Sequence, residues 1–278
     1  MEKGLFFIFI FIATSLFAYI DADMDGVADS LDKCPNTPFM ELVDKRGCTK
    51  KVLIPKSKKH HFDIIVGTNY SGSNYASLNQ TDTLSTSLQC DYYYGKFSLQ
   101  VATSYYKTDA DDYDREGFND SFVGIAYNIK PNKNLLIRIG IGSILATYKT
   151  DLGNNNTDYT GSLNISYTYK TDINIFASYV YTKINDDNVV TSNNIEYFYH
   201  NTNAFSGGFG YYFTRELYFS TAYNTSESIY QDIEDIDTVS LYGYKSINKN
   251  WFVTLFYAYG LSDSASDHAA SMKIGYYF

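Results

Sequence analysis

The sequence predicts an all-β protein, and three observations lead to that prediction. Apolar and polar residues alternate through most of the chain after residue 60, which is the pattern of strands with two different faces. The 278 residues include 29 Tyr and 19 Phe but only 4 Pro. No stretch of this part approaches the roughly eighteen apolar residues of a membrane-spanning helix. Soluble sheet proteins rarely carry so much aromatic surface, whereas a transmembrane antiparallel up-and-down β-barrel needs aromatic girdles outside and polar residues inside.

The first element is a targeting segment at residues 1–18. Lys3 supplies a positive charge near the start, residues 5–17 are almost wholly apolar, and Ala18 is a small residue suited to a cleavage site. This is the pattern of a secretory signal peptide, and the apolar run is short for a transmembrane helix. We therefore expect the chain to be exported.

An acidic loop follows at residues 21–32. Gly26 lies at loop position 6, where a calcium loop turns sharply, and oxygen ligands occupy positions 1, 3, 5, 7, 9 and 12. Carboxylates this close repel each other unless a hard cation neutralises them, and Ca²⁺ prefers such oxygen ligands. An EF-hand would have Glu in place of Asp32 and a helix before the loop. The predicted ligands are Asp21, Asp23, Asp25, the carbonyl of Val27, Asp29 and Asp32.

Two short motifs complete this segment, Cys-Pro-Asn-Thr-Pro at 34–38 and Val-Asp-Lys-Arg-Gly-Cys at 43–48. With the acidic loop they make residues 19–49 resemble the thrombospondin type 3 repeat of bacterial OmpA-type outer-membrane proteins. The resemblance implies bound Ca²⁺ and a disulfide between Cys34 and Cys48. A segment this small cannot build a core, so metal and disulfide would hold it together. The alternative is a solvated acidic linker. Cys90 lies in a strand-like run and is expected to be an inert apolar side chain.

A basic linker at residues 50–60 leads into the predicted barrel, residues 61–278. Alternation and turn signals give about twelve strands, an even number being usual for a bacterial single-chain barrel. The residues beside the long segment 185–201 leave ten or fourteen strands open. The predicted strands are 61–73, 82–94, 97–108, 118–130, 135–149, 158–169, 173–184, 202–213, 217–229, 237–247, 251–261 and 268–278.

The connections alternate between short turns, rich in Lys and Arg, and longer loops rich in Asp and Glu. Because periplasmic turns are short and outer loops long, we expect both ends of the barrel sequence, and the repeat, to face the periplasm of a Gram-negative bacterium. The partners expected are outer-membrane lipid and lipopolysaccharide. The final strand, which ends in Tyr-Tyr-Phe at Phe278, resembles the signal recognised by the barrel-assembly machinery. The net charge of −9 argues against nucleic-acid binding.

The alternation also directs four charged residues into the lumen: Asp63, Asp91, Arg138 and Lys273. Buried charges are usually paired, so these residues could form salt bridges that fill the interior. They could also form a charged constriction that selects solutes. Inward glycines at 140, 142, 208 and 210 indicate either open space or close packing.

The functional prediction is a porin-like channel for small solutes that carries a calcium-binding repeat. The alternative is a structural or adhesion protein with a closed barrel and exposed acidic loops. Catalysis is not expected. The chain has 4 His, and its Asp–His neighbour pair, Asp267 and His268, would point to opposite faces of a strand. The acidic stretch 109–114 could gather divalent ions or be a solvated loop.

Overall fold

A computed structural model of the chain describes residues 29, 32–34, 44–46, 48, 60–74, 80–110, 113–149, 155–170, 172–190, 196–231 and 233–278. The chain divides into two compact units, Met1–Ser57 and Lys58–Phe278. Among the described residues, no helix has the length and apolar character needed to span a membrane.

The second unit is built from β-strands, and most of them are long enough for a tilted crossing of a bilayer. The first begins at His60, one residue before the predicted start. The strands are β1 His60–Ser73, β2 Thr81–Tyr94, β3 Phe97–Ala110, β4 Tyr113–Phe118, β5 Ser121–Ile129, β6 Leu135–Leu145, β7 Asp158–Tyr169, β8 Ile173–Lys183, β9 Val189–Val190, β10 Glu196–Tyr197, β11 Thr202–Tyr212, β12 Leu217–Ser226, β13 Ile236–Ser246, β14 Trp251–Gly260 and β15 His268–Tyr277.

Twelve of these strands form a closed antiparallel barrel, which confirms the predicted fold class and strand number. Sequence neighbours pair around the wall, and β1 closes it by pairing with β15 from Asp63↔Tyr277 to Gly72↔His268. β4 pairs with the C-terminal part of β3, and β5 pairs with its N-terminal part. β4 and β5 therefore share one strand position in the wall. The connection between the predicted strands 97–108 and 118–130 was expected to be a loop, but most of its residues belong to β3 and β4. β9 and β10 form a separate two-stranded sheet.

The two ends of the barrel differ as expected, with short turns at one end and longer loops at the other. Two of the short turns use the same device. The side-chain Oδ1 of Asn132 accepts the N–H groups of Asn134 and Leu135, and Oδ1 of Asn248 accepts those of Asn250 and Trp251. Such Asx turns satisfy backbone donors that no strand can pair. The tightest turn needs Gly95, whose φ is +60°.

The barrel exterior is apolar and carries aromatic side chains at both ends. Near the short turns, Trp251 contacts Tyr276 edge-on at 4.7 Å, and Phe62 lies 5.6 Å from Phe278 between ring centroids. Near the long loops, Tyr105 meets Phe118 at 5.3 Å. An exterior of exposed large apolar residues between two aromatic girdles is the surface that a bilayer covers. Members include Phe62, Ile64, Val66, Leu88, Leu99, Val101, Ile125, Ile139, Leu163, Ile175, Phe209, Leu241, Leu255, Met272 and Ile274.

The described part of the first unit centres on a disulfide between Cys34 and Cys48. The backbone N–H of Lys33 donates to the carbonyl of Arg46, and the N–H of Asp44 donates to that of Cys48. The guanidinium of Arg46 donates to Oδ2 of Asp44 at 2.8 Å. That contact holds the pKa of the Asp44 carboxyl below its usual range. The disulfide that the family resemblance implied is therefore present.

Candidate functional site

The four charged residues predicted for the lumen all lie on the inner face of the wall. Asp63 on β1 pairs with Asp91 on β2 and with Tyr277 on β15. Lys273 is the cross-strand neighbour of Gly67, and Arg138 on β6 lies between Asn128 and Asn164. Strand parity predicted this inward position, and the selective role of these residues stays a prediction.

Asp63 and Asp91 face each other directly across two neighbouring strands. Only 5% and 6% of their surfaces are exposed. Asp91 accepts a hydrogen bond from the Gln89 amide at 2.8 Å, whereas Oδ1 of Asp63 is buried with no hydrogen-bond partner in the described structure. Like charges directly opposite each other are destabilising in a sheet, and buried carboxylates are costly without partners. The pair therefore concentrates negative charge at one place in the wall.

The nearby cations only partly offset this charge. Arg138 lies close enough to attract the Asp91 carboxylate electrostatically and to donate a hydrogen bond to the Tyr93 hydroxyl. The stem of Lys273 lies over Gly67, where a Cβ atom would overlap it. His61 stacks on the Tyr93 ring at 4.5 Å. In the described part of the chain, no ion pair joins Arg138 or Lys273 to either carboxylate. Direct salt bridges, one reading of the sequence, therefore do not fill this lumen.

An arc of aromatic side chains lines the lumen beside the acidic pair. Tyr244 and Tyr277 share a hydrogen bond of 3.0 Å between their hydroxyls. Phe252 lies 4.6 Å from Tyr277 and 5.6 Å from Tyr244 between ring centroids. The arc continues through Tyr242 to Tyr218, whose hydroxyl donates to Oδ1 of Asn174 at 3.2 Å. Sequence analysis missed this arc, although the inward parity of these tyrosines was the signal that could have located it.

Several luminal rings pack over glycines that lie opposite or diagonally beside them on the inner face of the wall. A Cβ on Gly142 or Gly124 would overlap the ring of Phe122. Gly208 makes room for Phe176 and Gly210 for Tyr218 in the same way. Gly275 lies under the ring of Phe252. The inward glycines therefore accommodate packed rings.

Two cavities of about 690 and 730 Å³ occupy the lumen. Every lining residue belongs to a barrel strand. Asp63, Lys273 and the part of the aromatic arc from Tyr242 to Tyr277 line the first cavity, and Arg138 lines the second. Gln89, Asp91 and Tyr93 border both, so these side chains mark the point where the two cavities meet. Cavities of this size can hold small organic molecules.

The acidic residues of the long-loop end act mainly as hydrogen-bond acceptors. Asp120 accepts the N–H of Tyr148 at 2.8 Å, and Asp158 accepts that of Asn185 at 2.7 Å. Glu227 accepts both the N–H and the amide of Asn203, and these bonds hold its pKa below the usual range. These contacts order the long-loop end of the barrel. Residues 111 and 112 of the acidic stretch lie outside the described residues.

Asp267 and His268 have separate partners. Oδ2 of Asp267 accepts the N–H of Asn74 at 3.1 Å, and the Nδ1 atom of His268 shares a hydrogen bond of 2.8 Å with the Tyr257 hydroxyl. The two side chains therefore do not form an acid–base pair with each other. Cys90 is exposed on the outside of β2.

Four of the six predicted calcium ligands, Asp21, Asp23, Asp25 and Val27, lie outside the described residues. Asp32 is described, and its Oδ1 accepts the N–H of Cys34 at 2.7 Å. This turn ties the last predicted ligand to the disulfide. A carboxylate has a second oxygen, and the donor set consists of oxygens, which suits Ca²⁺. The described residues hold no group of three or more His, Cys, Asp or Glu suited to a metal.

Neither a protein-family model nor a curated protein sequence matches the chain. Solved structures resemble it in fold. The NanC porin is 15% identical, with 78% of this chain and 98% of that chain covered and a TM-score of 0.50. The translocator domain of the autotransporter NalP from Neisseria meningitidis is 8% identical, with 81% and 91% covered and a TM-score of 0.51. The KdgM porin is 12% identical, with 77% and 99% covered and a TM-score of 0.47. At these identities the likeness to the NanC and NalP structures shows the fold alone, a closed twelve-stranded antiparallel barrel of the outer-membrane kind.

Proposed function

We propose that the protein is a porin-like channel for small solutes in the outer membrane of a Gram-negative bacterium. One observation carries the proposal: the lumen contains cavities walled only by strand residues, and its aromatic rings lie against the wall over glycines. The name of the NanC porin, a structure with the same fold, agrees with this proposal. A solute would cross a polar interior and pass Asp91 and Tyr93, where the two cavities meet.

The direct test is single-channel conductance of the refolded mature protein in a planar bilayer. Steady ohmic steps are expected. A correctly folded barrel that stays silent would overturn the channel and favour a structural or adhesive role. The ordered outer end favours that second candidate, since the rings of Tyr199 and Tyr230 lie 5.2 Å apart and Glu227 is fixed to Asn203.

The N-terminal unit is proposed to be a periplasmic calcium-binding repeat. β1 starts at the short-turn end, which faces the periplasm in barrels of this kind. The resemblance to the thrombospondin type 3 repeat, the acidic spacing and the Cys34–Cys48 disulfide support the assignment. The test is a calorimetric calcium titration of the mature protein, with an Asp23→Asn and Asp25→Asn double variant. Equal calcium binding by the variant would overturn the assignment.

A further inference from the structure

We propose that Asp63 and Asp91 form a luminal binding site for positively charged amine groups. The inference deepens the proposed channel function, on which it rests, by naming the charge and chemical class of the solutes that the lumen favours. It depends on the geometry of four side chains that border the cavity of about 690 Å³ beside β1: Asp63, Asp91, Tyr93 and Tyr277.

The acidic pair has unused capacity to accept hydrogen bonds. Asp63 and Asp91 are direct cross-strand neighbours, and such neighbours have Cβ atoms about 5 Å apart. Only 5% of the Asp63 surface is exposed, and the residue borders the cavity. Its Oδ1 atom has no hydrogen-bond partner in the described structure. An ammonium group placed between the carboxylates would relieve their repulsion and donate a charge-assisted hydrogen bond to the Asp63 carboxylate, which borders the cavity.

The protein's own cations leave this position open. Arg138 borders the second cavity and acts on Asp91 and Tyr93. Lys273 lies four residues from Tyr277 along β15, which corresponds to about 13 Å of strand. The His61 ring is stacked on the Tyr93 ring, with 4.5 Å between centroids.

The surrounding side chains favour an organic amine over a metal ion. Tyr277 is the other cross-strand neighbour of Asp63, and Tyr93 borders the same cavity. Aromatic faces beside carboxylates attract ammonium groups through cation–π contacts. The hydroxyls of Tyr277 and Tyr244 are hydrogen-bonded to each other, and both residues border the same cavity. Calcium would need many more oxygen ligands than two carboxylates supply. The cavity of about 690 Å³ also accommodates the carbon skeleton of an amine.

The experiment measures ion selectivity and amine block on the full mature protein. Reversal potentials in a KCl gradient report preference for K⁺ over Cl⁻, and n-butylammonium added to symmetric KCl reports block by an amine. We expect cation preference and block in the wild type. Asp63→Asn should weaken block about tenfold, as expected for the loss of a charge-assisted hydrogen bond. Asp63→Glu should restore it.

Two controls make the outcome decisive. Glu116→Gln removes one exposed carboxylate from β4 and should change neither selectivity nor block. The change of electrophoretic mobility on heating verifies that each variant has folded. A conducting wild type without amine block, or with block unchanged in Asp63→Asn and Asp91→Asn, would overturn this inference and leave the channel proposal intact. Block by n-butylammonium without a preference for K⁺ over Cl⁻ would show that the site selects amines alone. A preference for K⁺ without block by n-butylammonium would show a general cation filter and would overturn the amine assignment.

A silent protein would overturn the channel proposal, and calorimetric titration of the refolded barrel with n-butylammonium would then decide the inference. Binding that is lost in Asp63→Asn supports it. No binding by the wild type overturns it.

Discussion

Phe252 lies directly opposite Gly275 on the neighbouring strand, and its ring occupies the space where a side chain at 275 would stand. The ring is 5% exposed and also contacts Tyr244 and Tyr277. The width of the lumen here therefore depends on the absence of one Cβ atom.

The first prediction concerns this pair. Gly275→Leu should displace the Phe252 ring into the lumen, lower conductance and destabilise the barrel by about 1–3 kcal/mol, because overpacking strains neighbouring rotamers. Gly161→Leu is the matched control, since its Cβ would meet nothing within 4 Å. Conductance and urea unfolding measure the two effects. Equal behaviour of both variants would contradict the role assigned to the ring.

The second prediction separates stability from function at the acidic pair. In the absence of amines, Asp63→Asn should raise the free energy of unfolding by on the order of 1 kcal/mol, because it removes one of two facing like charges. Urea unfolding at neutral pH measures the change, with Glu116→Gln as the control. A loss of stability would mean that the Asp63 carboxylate makes a stabilising contact that outweighs the repulsion.

The third prediction concerns the hydrogen bond between Tyr244 and Tyr277. Either Tyr→Phe change should cost about 1 kcal/mol of unfolding free energy, a typical net value for such a bond. The double variant should cost little more than either single one, because both changes remove the same bond. A double-mutant cycle measures this coupling, and strictly additive costs would show that the two hydroxyls act independently.

The fourth prediction is a pH effect at the long-loop end. The pKa of Glu227 is lowered by the hydrogen bonds from Asn203, so its contribution to stability is present above the unfolded pKa and is lost as the pH falls through the folded pKa. Limited proteolysis within residues 227–235 should therefore accelerate on acidification below the ordinary glutamate range, measured with an acid-stable protease. Glu227→Gln should remove this pH response.

The fifth prediction concerns the first unit. Replacing Cys34 and Cys48 by Ser should weaken calcium binding, since the bridge closes a loop of about fifteen residues and stabilises by roughly 3 kcal/mol in the chain-entropy model. Unfolding of the barrel should not change. Calorimetry and heat-dependent electrophoretic mobility measure the two properties, and calcium affinity equal to that of the wild type would contradict the prediction.

Sequence alone predicted the barrel, the strand number and the inward position of four charged residues, because strand parity is a local property. It did not predict that Asp63 faces Asp91, nor that Phe252 lies over Gly275. Those relationships depend on the register between strands, which closure of the whole barrel sets. The hairpin of β3 and β4 was missed because its residues, such as Asp109, Asp114 and Glu116, are typical of loops.

The pairing of β1 with β15 has a consequence for how the barrel can be made. The first and last strands of the barrel are paired with each other, but no turn connects them. Their unconnected ends lie at the short-turn end, where Asp63 pairs with Tyr277. Moving these ends should leave the architecture intact. A circular permutant that joins the two ends by a short turn and opens at Gly95 should fold into the same barrel. Its rate of folding into lipid, compared with that of the original chain, would then show whether the order of the strands along the sequence matters.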